Sequence, residues 1–112
     1  MYLGQFTNKK DVIQEFRVPE KEQDFKVLMA WYDYEDYDGS AFVLFERNNQ
    51  LYEVHGSHCS CYGLEECWDP ELTSIEAIFH RMDHGFFGYH YLGERAKQLK
   101  GVLNRWKRKQ KT

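Results

Sequence analysis

The sequence predicts one α+β domain over residues 1–112, a three-stranded antiparallel β-meander packed with N-terminal and C-terminal helices. Three observations predict it. Aromatic and branched residues dominate three runs between Phe25 and His55, and the second and third runs meet at Asn48-Asn49. After Thr73 the apolar period changes from that of a strand to that of a helix. No internal repeat, low-complexity block or linker divides the 112 residues, a length at which one core buries roughly two-thirds of the unfolded chain's surface.

Thr7 or Asn8 can cap a first helix running to about Phe16, because a short side-chain oxygen satisfies the free N–H groups of a first turn. Val12, Ile13 and Phe16 then share one face. Val18-Pro19 ends it, since proline disfavours a helical residue before itself. Pro19-Glu20-Lys21-Glu22 suits a brief second turn, with proline and acids at its start. Phe25 to Tyr34 is rich in residues that fit a pleated surface and reads as a strand, with a loop expected from Glu35 to Gly39. Ala41–Arg47 and Gln50–His55 form a hairpin, because paired asparagines tolerate the positive φ of a tight turn. Phe42 and Leu44 point to one side of the middle strand and Val43 and Phe45 to the other, so both faces are apolar and both are expected to be covered. A cysteine-bearing loop follows the third strand. Thr73 or Ser74 caps a helix from Ile75 to His84, in which Ile75, Ile78, Phe79 and Met82 share a face, and Gly85 is its natural stop. A glycine-broken aromatic connector, 85–93, leads to a terminal amphipathic helix from Glu94 to about Lys107. Leu99, Val102, Leu103 and Trp106 form its apolar stripe, and 104–112 is expected as a basic, frayed tail.

An apolar share of 42% argues against a disordered chain. No apolar run reaches the ~20 residues of a membrane-spanning helix, and Met1-Tyr2-Leu3-Gly4-Gln5 lacks the basic start and apolar stretch of a secretory signal. A cytoplasmic protein with no membrane partner is therefore expected. Three cysteines leave at least one unpaired in any intramolecular scheme, which fits a reducing compartment. The net charge is only −3 but strongly partitioned: residues 94–112 carry eight Lys or Arg against Glu94, a net +7, which leaves −10 on residues 1–93. Such a molecule can offer an acidic body to one partner and a basic end to another.

The chemistry-bearing residues cluster. His55-Gly56-Ser57-His58-Cys59-Ser60-Cys61, with Cys67, holds all three cysteines and two of the five histidines. Cys59 and Cys61, with His80 and His84 four apart on a predicted helix, make a Cys2His2 set for zinc. His55, His58 and Cys67 are in reserve. Cysteines one residue apart form a less regular zinc knuckle than cysteines two or more apart, and a shaped loop after a hairpin accounts for the small residues equally well. In a catalytic scheme His55, His58 or His80 would activate Cys59 or Cys61 with Asp69 orienting the base, yet free cysteine is most often a small buried residue.

Trp31, Tyr32, Asp33, Tyr34, Glu35, Asp36, Tyr37 and Asp38 interleave acids with aromatics at a strand end. Tyrosine suits interfaces and an acidic array attracts a basic partner, although a charged loop tip is otherwise simply solvated. Arg105, Lys107, Arg108, Lys109 and Lys111 can contact nucleic-acid phosphates, or merely complement a helix C-terminus.

Through Gly39-Ser40-Ala41-Phe42-Val43-Leu44-Phe45, Leu51-Tyr52-Glu53-Val54, Gly56-Ser57-His58-Cys59-Ser60-Cys61-Tyr62-Gly63-Leu64-Glu65 and Trp68-Asp69-Pro70, the chain resembles small uncharacterised accessory proteins of tailed phages and prophages. The likeness covers about the middle third of the chain. It implies an infection context, in the cytoplasm of a bacterial host, and no mechanism. Cys67 stands where a variable residue is expected, so a site using His58, Cys59 and Cys61 is favoured over one that needs Cys67. The expected function is that of a non-enzymatic accessory protein, monomer or homodimer and without cofactor. It would bind a host or phage macromolecule, above all another protein, through the acidic aromatic surface. The alternative is a small zinc-stabilised nucleic-acid-binding module, and a cysteine hydrolase is the outlier.

Overall fold

The computed structural model describes residues 1–35, 38–58, 63–83 and 94–110. In order they form β1 (Tyr2–Gly4), α1 (Lys9–Phe16), a 3-10 turn (Glu20–Glu22), β2 (Lys26–Glu35), β3 (Asp38–Arg47), β4 (Gln50–His58), β5 (Glu71–Thr73), α2 (Ile75–Asp83) and α3 (Glu94–Gln110). The fold is α+β, with three α-helices among the described residues.

The sheet corrects the expected three-stranded antiparallel meander. It has five strands in the order β1-β2-β3-β4-β5, and it is mixed, because β1 runs parallel to β2 with Tyr2 opposite Ala30 and Gly4 opposite Tyr32. Both additional strands are three residues long, too short to show a period of two, and β1 is specified by pairing with residues far along the chain. The central β2, β3 and β4 are antiparallel as expected. Asn48 and Asn49 take φ of 55° and 63° at the hairpin turn, the double positive φ that a two-residue connection requires. The loop expected at Glu35 to Gly39 is shorter: strand pairing extends to Glu35 opposite Asp38, and Gly39 lies within β3.

The chain forms two compact units, Met1–Leu72 and Thr73–Thr112. In the first, α1 is capped by Asn8, whose side-chain oxygen accepts from the Asp11 amide at 2.9 Å. The Asp11 carboxylate reaches back to accept from the Thr7 amide and hydroxyl at 2.8 and 2.6 Å. That hydroxyl and then the amide, with smaller help from Asn8 and Lys10, hold the Asp11 carboxyl below its ordinary range. Phe6, Val12 and Phe16 pack against Ala30, Tyr32, Ala41, Val43, Phe45 and Val54 on one sheet face. Each fully buried phenylalanine contributes about 1.5–3 kcal/mol. The opposite face carries Met29, Trp31, Phe42 and Leu44, all buried, so both faces of β3 are covered as its apolar pattern predicts. Gly4 joins β1 to the next loop at φ 64°, where an added Cβ would lie 2.2 Å from the Tyr32 carbonyl oxygen.

In the second unit the Ser74 hydroxyl caps α2 by accepting from the Ala77 amide at 3.1 Å, and Ile75 and Ile78 are buried. Helix α3 buries Leu99, Val102 and Leu103 and continues to Gln110, beyond the expected end near Lys107. No helix among the described residues is long and apolar enough to cross a membrane.

Candidate functional site

Strand alternation sends Tyr32 and Tyr34 to the face covered by α1 and sends Trp31 and Asp33 to the other. On the α1 face, Tyr34 lies opposite Gly39, and Gly39 lies opposite His58. Gly39 has no side chain to hold the imidazole away. A Cβ there would sit 2.0 Å from His58 Nε2, so the ring lies across the glycine. From that position His58 Nε2 shares a hydrogen bond of 2.5 Å with the Tyr32 hydroxyl, and its ring centroid is 5.2 Å from that of Tyr34. Burial first, then the charge of Glu15 and the neighbouring Tyr34 and Glu65, push the Tyr32 hydroxyl up to about 12. It therefore stays protonated near neutrality and can donate to a neutral imidazole.

Helix α1 supplies the acids. Asp11 and Glu15 are one turn apart, on the same helix face. The chain before the helix supplies Gln5, whose amide is pinned to the Tyr32 carbonyl at 2.8 Å. Gln5, Asp11, Glu15, Tyr32 and Tyr34 line a cavity of about 360 Å³. Tyr34 is 48% exposed and forms its accessible aromatic wall. Glu65 lies near enough to act on Tyr32. Its own carboxyl is held below the ordinary range, first by its own backbone N–H, then by that of Gly63 and by the charges of Arg17 and His58. Among the described residues, no Lys or Arg lies over Tyr32 or Tyr34 or pairs with Glu15.

The other end of the same face is built differently. Phe25, Phe45 and Trp68 pack together there, with the Phe45 ring stacked on Trp68 at 5.7 Å and on Tyr52 at 5.3 Å. Lys9 Nζ sits 4.4 Å over the Phe25 ring and donates to the carbonyls of Gln23 and Phe25 at 2.8 and 2.5 Å. Arg47 lies 5.1 Å over Phe45 and donates to the Glu22 and Asp24 carbonyls at 2.7 and 3.3 Å. The hollow beside it, about 510 Å³, is lined by Arg47 itself with Asp24, Phe25, Lys26, Glu46 and the two turn asparagines.

The expected docking stretch is thus divided. Trp31 is 1% exposed and Tyr32 6%, so neither belongs to an accessible patch. Tyr34 does, and Asp38 is exposed at the same sheet end. Asp33 is half-buried on the opposite face; Glu35 ends β2, and Asp36 and Tyr37 lie outside the described residues. Of the zinc set, Cys59, Cys61 and His84 lie outside the described residues, and His80 is exposed on α2. Among the described residues no group of three or more His, Cys, Asp or Glu could hold a metal. His55 Nε2 instead meets the buried Glu53 carboxylate at 2.6 Å, and Cys67 Sγ donates to the Ser57 carbonyl at 3.6 Å. Arg105, Lys107, Arg108 and Lys109 are exposed along the end of α3, and Lys111 lies outside the described residues.

No protein-family model, curated protein or solved structure matches the chain. Gln5, Asp11 and Glu15 are the lining residues that sequence reasoning did not single out. The one signal for Asp11 and Glu15 is their spacing of i and i+4 on a helix whose neighbouring positions Val12 and Phe16 enter the core.

Proposed function

We propose that the protein is a non-enzymatic accessory protein of the phage type that docks a basic protein through the acidic end of its sheet. The observation that carries this role is the combination, at one place, of an exposed Tyr34 ring and a Glu15 carboxylate without an ion-pair partner among the described residues. Desolvated aromatic rings supply contact area in interfaces, and unpaired carboxylates steer an oppositely charged partner. Residues 1–72, the unit that holds the pocket, carry six Lys or Arg against fifteen Asp or Glu, a net −9, which extends that field beyond the pocket and favours a basic protein over a nucleic acid at this end.

The test is retention of a partner from bacterial lysate at low salt on the immobilised full chain. The control is a variant with Glu15→Gln, Asp38→Asn and Glu65→Gln combined. The expected result is one or more basic proteins held by the parent, released by salt and missing from the variant. Equal recovery on both, or retention of none, would remove docking at this end.

A further inference from the structure

We propose that the Gln5–Glu15–Tyr34 pocket is a receptor for one arginine guanidinium carried by a protein partner, an assignment that rests on the docking role above. The molecule itself supplies the comparison. At the Phe25 end it builds two cation seats from the same kinds of parts, aromatic faces below and oxygen acceptors around, and fills both with its own Lys9 and Arg47. At the Tyr34 end those parts recur without a Lys or Arg over the ring among the described residues. Tyr34 offers an exposed ring face, and the oxygens come from the Glu15 carboxylate, the Gln5 amide and Asp11. Both Thr7 bonds to Asp11 fall on its Oδ2. Lys10 and Arg17 act on Asp11 and Glu65 through their charge, but neither forms an ion pair among the described residues.

The chemistry of the walls narrows the occupant. A phosphate would meet Glu15 and Asp11 as like charges. An apolar ligand would find one exposed ring and a polar remainder. A cavity of about 360 Å³ also sits at the low end of the roughly 300–1,000 Å³ typical of ligand pockets, which suits a single side chain. Between the two cationic side chains, guanidinium is planar and can lie flat on the Tyr34 ring while presenting two parallel N–H groups to one carboxylate. An ammonium is a point charge with neither property.

The experiment is an amide-resolved NMR titration of the full chain with acetyl-Gly-Arg-Gly-amide, against the same tripeptide carrying lysine or citrulline. Citrulline keeps the planar shape and loses the charge. The arginine peptide is expected to shift the signals of Gln5, Glu15 and Tyr34 saturably, with the lysine peptide weaker and the citrulline peptide inert. Glu15→Gln and Tyr34→Ala, both at exposed positions, are each expected to weaken binding about tenfold in a protein whose remaining spectrum is unchanged. Equal binding of arginine and citrulline peptides, equal or tighter binding of lysine, or an unaffected Glu15→Gln would each overturn the guanidinium assignment. Partner retention that survives Glu15→Gln alone but not the triple variant would end this assignment and leave the docking role standing. Retention of no partner by the parent chain would end both.

Discussion

The two ends of the sheet face under α1 are made of similar parts and reach opposite electrostatic conclusions. At the Phe25–Phe45–Trp68 end, rings and carbonyls are already engaged by Lys9 and Arg47, so the side chains there serve the fold. At the Tyr32–Tyr34–His58 end, the rings are joined by an imidazole and ringed by carboxylates, with no Lys or Arg among the described residues seated over them. Substitutions should therefore act on stability at the first end and on association at the second. A self-completed cation seat stabilises the molecule that contains it, while an incomplete one is completed by something else.

The largest effect belongs to the closed end. Phe45→Ala removes a fully buried ring that contacts Phe25, Tyr52 and Trp68, and should lower unfolding free energy by about 3–5 kcal/mol in chemical denaturation. A loss below about 1 kcal/mol would show that this end is not a packed core. Next comes Arg47→Ala, which deletes the bonds to Glu22 and Asp24 and the stack on Phe45. It should cost about 1–2 kcal/mol while leaving the arginine-peptide titration unchanged. A change in peptide binding would mean that the two ends are not independent.

A smaller effect separates the ends by pH. The folded Tyr32 hydroxyl is pushed up to about 12, against 10.0 for an ordinary tyrosine, mainly by burial. The folded state thus keeps a proton that the unfolded chain gives up. The resulting contribution is fully present below pH 10 and is lost as pH rises toward about 12. Denaturation at about pH 9 and about pH 11 should show a steeper loss in the parent than in Tyr32→Phe. Equal slopes would contradict the account of Tyr32.

What could be read from the sequence follows the range of the interactions. The Asn48–Asn49 hairpin, the start of α1 at Asn8 and the Ser74 cap were legible because each depends on neighbours within a few residues. Strands β1 and β5 were not, since three residues carry no period and β1 is specified by pairing with Ala30 to Tyr32. The acidic aromatic stretch was legible as a strand end rich in interface residues. Its division into a buried Trp31 and an exposed Tyr34 needed the face assignment, which only the tertiary packing of α1 settles. Gly39 read as a loop residue, and its use as the space in which His58 lies depends on cross-strand register. Nothing in the sequence singled out Glu15 and Asp11, and only the docking of α1 brings them beside Tyr34.

The most direct test of the contrast between the ends is to supply the missing cation from within. Gln5→Arg places a guanidinium on a residue that lines the pocket and whose backbone is held to Tyr32. Titration of this variant with the arginine tripeptide should show the shifts at Glu15 and Tyr34 abolished, in a protein whose stability stays within about 0.5 kcal/mol of the parent. Binding at parental strength by a folded Gln5→Arg protein would contradict the claim that the acidic end is a cation seat left for a partner to fill.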